Sequence, residues 1–354
     1  GGSVYLSGSG MLKMSRCKLL KNYAASKGGA IYLNKSPLVV MDYLVMQENY
    51  AKEKGGTTFA QYCSKLVFSF CLFVKNRVQI NKITGAGPLT FGGSIFTLDI
   101  NSTAINSSYF IKSLAEGGGA IFQEKGLYFS IINTTYVKNW AYDGGVVYLN
   151  HVLFISCVTS IFQQNTAGEE TSACMIEYAT KVVYRQTNVH NNKVEYISGA
   201  AAINILYSGY GVFTRCNFTG NRARQTSAAI HIWKLTEVFI LSCSFKENSV
   251  FADHGIQGAY GGVLYVWEAS LIKIQRSVFS KNSAIAHRLL MSLGGVIYIA
   301  NLGLLLIIEC FFQKNKASSG GGAIAIVKPF WSHRYQKVDF VIIDTLFMMN
   351  SAGK

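Results

Sequence analysis

One spacing constrains this chain more than any other feature: an asparagine lies twenty residues beyond the second glycine of a Gly-Gly pair. It joins Gly2 to Asn22, Gly29 to Asn49, Gly56 to Asn76, Gly119 to Asn139, Gly145 to Asn165, Gly262 to Asn282 and Gly295 to Asn315. Degenerate copies keep the interval, as in Gly93 to Ser113, Ser172 to Asn192, Ala201 to Asn221 and Ala228 to Asn248. A self-similar unit with a period of roughly 27 to 35 residues is the signature of a solenoid.

With the second glycine as zero, positions two and four are aliphatic, for example Ile31 and Leu33 or Ile297 and Ile299. Positions ten and twelve repeat the pattern, as in Val39 and Met41 or Ile272 and Ile274. Spacing by two is one face of a strand, whereas a helix needs apolar residues three and four apart. Position fifteen is small: Cys17, Cys71, Ser108, Thr134, Cys216, Cys243 and Cys310. Position seventeen is usually aromatic: Phe73, Phe110, Phe162, Phe218, Phe245, Phe279 and Phe312, with Phe347 continuing the column. These patterns predict an all-β, right-handed, single-stranded parallel β-helix of about 12 coils with three short strands each. Residues 1–354 read as one continuous solenoid, a window of a longer one, and half of them are hydrophobic, enough for a large core.

The asparagine column is Asn22, Asn49, Asn76, Asn139, Asn165, Asn192, Asn221, Asn248, Asn282, Asn315 and Asn350, with Ser113 the exception. Asparagine tolerates the left-handed backbone of a sharp corner, and stacked amides hydrogen-bond along such a column. The glycine pair is expected at the next corner, where positive φ or close backbone approach excludes a side chain. The eight cysteines show no Cys-x-x-Cys or metal spacing. Those at position fifteen read as a small-residue packing slot, and Cys216 and Cys243 are neighbours that either stay free or form a disulfide.

The net charge is +15, and Lys21, Lys75, Lys138, Lys281 and Lys314 each precede a corner asparagine. A basic line of this kind suits an anionic polysaccharide or an acidic protein surface, and equally keeps a strand-rich surface soluble. No nucleic-acid-binding module is present, and the longest apolar run, Leu302 to Ile308, is too short to span a bilayer.

The ruler holds while connections vary. Insertions at 77–91, 249–260 and 283–293 leave from the asparagine corner, and an extra aromatic, basic loop occupies 327–338. Insertions gathered on one face of a repeat protein often carry binding. Position three holds Tyr5, Tyr32, Phe59, Phe96, Phe122, Tyr148, Tyr265 and Tyr298, interrupted by Asn204 and His231. Alternation turns these rings outward, so the expectation is an exposed apolar stripe, open either to lateral association or to simple ring stacking. Asn34, Asn101, Asn106, Asn133 and Asn217 begin glycosylation sequons, with Asn133 and Asn217 placed outward by parity.

No set of carboxylates lies at matched positions, and no histidine stands in a metal spacing, so no catalytic, metal or cofactor residue is assigned.

The GGAI motifs at Gly28, Gly118 and Gly321, with the FxxN motifs ending at Asn76, Asn165, Asn248, Asn282 and Asn315, resemble repeats of the chlamydial polymorphic outer-membrane proteins. Similar repeats occur in large protist surface proteins. The resemblance runs along nearly the whole chain and departs at Thr57-Thr58, Ser172-Ala173-Cys174 and Val189-His190-Asn191-Asn192. It implies a β-helical stalk outside the cell, serving surface structure or adhesion. Three functions follow as expectations: a non-enzymatic surface scaffold associating laterally or end-to-end with other chains, an adhesin or carbohydrate-binding stalk, and, least expected, a polysaccharide lyase or hydrolase.

Overall fold

The computed structural model describes residues 1–8, 10–80, 90–195, 202–252, 258–287, 290–327 and 339–353. They contain strands and turns and no helix. They group into two compact units, one of Gly1–Gly168 with Ser172–Ala179, the other of Glu169–Thr171 with Thr180–Lys354.

Within each unit the rungs stack in parallel and in register. Ile31 sits between Val4 and Thr58 in the first unit, and Ile230 between Ile203 and Leu264 in the second. Side chains at positions two, four, ten and twelve point inward, so Ile31, Leu33, Val39, Met41, Ile230, Ile232, Val238 and Ile240 are fully buried. The molecule is a right-handed parallel β-helix with three stacked sheets.

The strand layout differs from expectation in one respect. The first two predicted strands belong to one sheet, and in many rungs they fuse into a single bent strand, as in Ile95–Asn106, Ile121–Ile132, Ile230–Leu241 and Leu264–Gln275. The bend is one left-handed residue at position six, such as Asp99, Lys125, Lys234 or Glu268. The third face is a dipeptide just after the asparagine: Tyr23–Ala24, Tyr50–Ala51, Arg77–Val78. Its alternate residue is small and inward, which is why Ala51, Val78 and Ala115 form a file of their own.

The corner asparagine is not the left-handed residue. That conformation falls one place earlier, at Lys21, Lys75, Lys138, Lys281 and Lys314, with φ between 52° and 55°. Asparagine is instead committed to the interior. Asn248 donates from Nδ2 to Asn282 Oδ1 at 3.0 Å and to the Phe218 carbonyl at 2.9 Å. Its Oδ1 accepts from the backbone N–H and Nδ2 of Asn221 at 3.2 and 2.9 Å. The pattern recurs in the first unit at Asn49, where Nδ2 reaches Asn76 Oδ1 and the Leu19 carbonyl. Every hydrogen-bonding atom of the amide is used, as burial requires.

Position fifteen carries a second polar column. Ser108 Oγ donates to the Asn106 carbonyl at 2.8 Å and accepts from the Cys71 N–H at 3.1 Å. Ser277 Oγ accepts likewise from Cys243 N–H at 3.1 Å. The column is therefore more than a packing slot: Ser, Thr and Cys interchange because each is a short donor and acceptor. Cys216 and Cys243 stand in it as free thiols, not as a disulfide. Cys216 Sγ donates to the Thr214 carbonyl, Cys243 Sγ donates to the Leu241 carbonyl, and Cys243 Sγ accepts from Cys216 N–H at 3.4 Å. A disulfide would remove the two donated bonds. Burial pushes the Cys71 thiol up to about 11.

The aromatic files stack face to face. Phe245 and Phe279 lie 4.9 Å apart with planes 2° from parallel, and Phe279 and Phe312 lie 4.6 Å apart. Phe73, Phe110, Tyr136 and Phe162 form the first unit's file, and Phe218 precedes Phe245 in the second. Phe347 stacks on Phe312 at 4.8 Å. At the glycine pair both predicted reasons hold, one for each residue. Gly28 adopts φ +64°, and a Cβ on Gly29 would lie 2.0 Å from the Gly56 carbonyl oxygen.

The position-three rings are not an exposed stripe. They lie outside the tube, as alternation demands, and stack rung on rung, as the simple-stacking alternative expected. Tyr5 is exposed and Tyr32 and Tyr148 are half-buried, but Phe59, Phe96, Phe122, Tyr265 and Tyr298 are all buried. In the first unit Phe91 lies over Phe122 at 4.4 Å, while the ammonium groups of Lys27 and Lys54 cap Phe59 and Phe96. In the second, Gly258–Tyr260 pairs in parallel with Met291–Leu293, and Tyr260 and Leu293 pack onto Tyr265 and Tyr298. The insertions thus supply a cover, and the rings form an outer apolar layer. Residues 81–89, 253–257 and 288–289 of the insertions, and 328–338 of the extra loop, lie outside the described residues.

Candidate functional site

The asparagine corner of the first unit carries a groove of about 610 Å³ lined by Lys21, Glu48, Tyr50, Lys75, Arg77, Lys112 and Leu114. Its construction follows from the corner. The left-handed residue before each asparagine turns its side chain to solvent, so Lys21, Glu48, Lys75 and Lys112 succeed one another rung by rung. Parallel stacking sets their pitch at about 4.8 Å. Arg77 and Tyr50 come from the next face, where the Arg77 guanidinium lies 5.6 Å from the Tyr50 ring centre. Tyr50 stacks in turn on Tyr23 at 5.6 Å.

Like charges at this pitch repel by about 1 kcal/mol per pair in water. Glu48 offsets part of that cost through an ion pair with Lys75 at 3.8 Å. Four cations against one carboxylate leave the lining strongly positive. The walls are an aromatic ring and aliphatic stems, so the groove offers a cationic rim beside an apolar surface.

Of the lysines singled out from sequence, the structure brings Lys21 and Lys75 together here. Lys138 occupies the equivalent corner position farther along the same unit. In the second unit Lys281 pairs with Glu247 at 3.7 Å, and Lys246 reaches the same carboxylate at 3.7 Å. Lys112 and Arg77 were not legible as site residues. Lys112 precedes Ser113, the exception in the asparagine column, so its place on the ruler was the available signal.

The sequon residues Asn133, Asn217 and Asn101 are exposed, and Asn34 and Asn106 are half-buried. Asn133 Nδ2 donates to Ser107 Oγ at 3.3 Å and Asn217 Nδ2 to Asn188 Oδ1 at 2.9 Å. A cleft of about 370 Å³ in the first unit brings Glu116, Glu124 and Asp143 beside Phe122 and Tyr148, a juxtaposition the sequence did not reveal. Glu116 accepts the Thr90 N–H at 2.8 Å. Among the described residues no group of three or more His, Cys, Asp or Glu side chains is placed to hold a metal ion. No helix among them is long and apolar enough to cross a membrane.

A family model described as the right-handed β-helix region matches residues 153–328. The chain is a β-helix repeat protein. No curated protein and no solved structure matches the chain.

Proposed function

We propose that this β-helix is a non-enzymatic segment of a cell-surface or extracellular protein, binding an anionic polysaccharide along the corner groove of its first unit. The observation that carries this reading is the placement of Lys21, Lys75, Arg77 and Lys112 around one groove with Tyr50 in its wall. Regularly pitched cations complement a polymer with regularly pitched carboxylate or sulfate groups, and a ring beside them packs against a sugar face. The GGAI and FxxN repeats, with their likeness to the chlamydial outer-membrane family, support the surface assignment, as do the exposed sequon residues Asn133 and Asn217. No catalytic role is assigned to any side chain.

The test is retention on immobilised heparin and polygalacturonate. The chain is expected to bind at low salt and elute as salt screens the contacts. The double variant Lys75→Ala/Arg77→Ala should bind about three- to tenfold more weakly, the sum of two exposed charge contacts. Equal retention of variant and parent would overturn the assignment.

A second reading, association with other chains, rests on exposed ring pairs. Tyr43 and Phe70 stack at 4.7 Å and are each about half exposed, and Tyr128 stacks on Phe154 at 5.3 Å. Sedimentation velocity of Tyr43→Ser/Phe70→Ser against the parent separates a self-associating chain from a monomer.

A further inference from the structure

The ring layer of the second unit is interrupted at two successive rungs, by Asn204 and His231. There the structure opens a cleft of about 340 Å³ lined by Glu170, Asn204, Leu206, Tyr207, Gln225, Thr226, His231, Trp233 and Tyr265. We propose that this cleft is a binding site for an uncharged hexose unit of a glycan, held chiefly by hydrogen bonds to its hydroxyl groups. The site is separate from the basic groove and does not depend on it.

His231 is more than nine-tenths buried, and its Nδ1 lies 2.8 Å from Asn204 Oδ1. Burial holds its pKa down at about 4, so the ring is neutral at physiological pH. A neutral imidazole that donates from Nδ1 to an amide oxygen keeps a lone pair on Nε2. That atom is an acceptor lining a cleft. Trp233 Nε1–H and Thr226 Oγ1 are buried without a hydrogen-bonding partner. Buried donors left unsatisfied cost about 1 to 3 kcal/mol each. A ligand with several hydroxyls, each able to donate and accept, meets the imidazole Nε2 directly, and pairs with Trp233 Nε1–H and Thr226 Oγ1 once small side-chain shifts uncover them.

The aromatic faces decide against a cationic ligand. Trp233 is stacked on Trp267 at 5.3 Å with planes 11° from parallel, and Leu206 is its register partner on the other side. Neither indole face is open to a quaternary ammonium group. The Tyr207 ring already carries the Lys234 ammonium at 5.7 Å. The cleft is lined by His231, Trp233 and Thr226 together with the polar side chains of Glu170, Asn204 and Gln225, with Leu206 and Tyr265 as apolar walls, and the Trp233 N–H and the Thr226 hydroxyl lie just beneath its surface.

The test is tryptophan fluorescence and calorimetry of the whole chain titrated with maltotriose, cellotriose and mannotriose, each in 0.05 M and 0.5 M NaCl. At least one trisaccharide should bind, with affinity unchanged by salt. His231→Phe and, separately, Thr226→Val should each weaken binding about tenfold, as removal of one buried hydrogen bond does. Lys75→Ala/Arg77→Ala should leave it unchanged. Circular dichroism and thermal melts establish that the variants fold, and Thr226→Val, at a half-buried side chain, keeps the test open should His231→Phe misfold. No binding to any of the three sugars, binding abolished by salt, or binding unaffected by Thr226→Val would each overturn the proposal. Loss of heparin retention with intact trisaccharide binding would remove the polysaccharide groove and leave this site standing.

Discussion

Asn248→Ala is the sharpest test of the corner column. The substitution deletes two donated bonds, to Asn282 Oδ1 and the Phe218 carbonyl, and two accepted from Asn221. Three of the four partners keep an alternative. Asn282 Oδ1 still accepts the backbone N–H of residue 248, Asn221 Nδ2 still reaches the Val189 carbonyl, and a backbone carbonyl tolerates losing a second donor. The Asn221 backbone N–H loses its acceptor inside a fully buried column. A stranded buried donor costs about 1 to 3 kcal/mol, and the net loss of the remaining bonds adds about 1. The expected destabilisation is therefore about 3 kcal/mol, read from urea unfolding followed by far-ultraviolet circular dichroism. Amide exchange of Asn221 should accelerate selectively, because its N–H is the group exposed by the deletion. Asn248→Asp keeps the volume and the acceptor but loses both donors and buries a charge, so it should cost at least as much. A loss below about 1 kcal/mol for Ala, or an Asp variant milder than Ala, would refute the reasoning.

Three further outcomes follow from the same architecture. Gly56→Ala places a Cβ 2.1 Å from the Gly93 carbonyl oxygen, so rungs must separate, and thermal melting should show a loss well beyond the ordinary glycine-to-alanine change. Lys314→Val forces a β-branched residue into φ 53° and should cost about 1 to 2 kcal/mol, while Lys314→Gly stays near neutral, as compared by denaturant midpoints. His231 has its pKa lowered from 6.5 to about 4 by burial, so the unfolded chain binds the proton first. Its contribution is complete above about pH 6.5 and is lost as pH falls toward 4, by about 3 kcal/mol in all. The stability of His231→Gln should fall less steeply than the parent across that window, and parallel curves would contradict the shift.

Much of the fold is legible because the repeat states one fact many times. Phe245 and Phe279 are placed on one another by position seventeen alone, and the structure stacks them. What the ruler cannot express is which side chain satisfies which backbone group. Asparagine is so common in left-handed turns that its recurrence suggested that conformation, whereas Asn248 is held by four interior bonds and Lys21 takes the strain beside Asn22. The ring layer was misjudged for a related reason. Alternation says that Phe96 leaves the tube, but Phe91, five residues before it, and Lys54, from the preceding rung, cover it, and a period-two pattern encodes neither contact. The basic groove was half visible: Lys21 and Lys75 were marked by the asparagine that follows, and Lys112 was hidden behind Ser113. The cleft in the second unit was present only as two exceptions in a column, Asn204 and His231.

The left-handed corner residue faces solvent and is fixed by its main chain, so the interior asks almost nothing of its identity. Lysine, glutamate, glutamine, asparagine, glycine and methionine all occupy it, at Lys75, Glu48, Gln164, Asn191, Gly220 and Met349. That edge behaves as a row of interchangeable sites, open to substitution one rung at a time without disturbing the amide column behind it. A protein built this way can change what it attracts faster than it changes its shape.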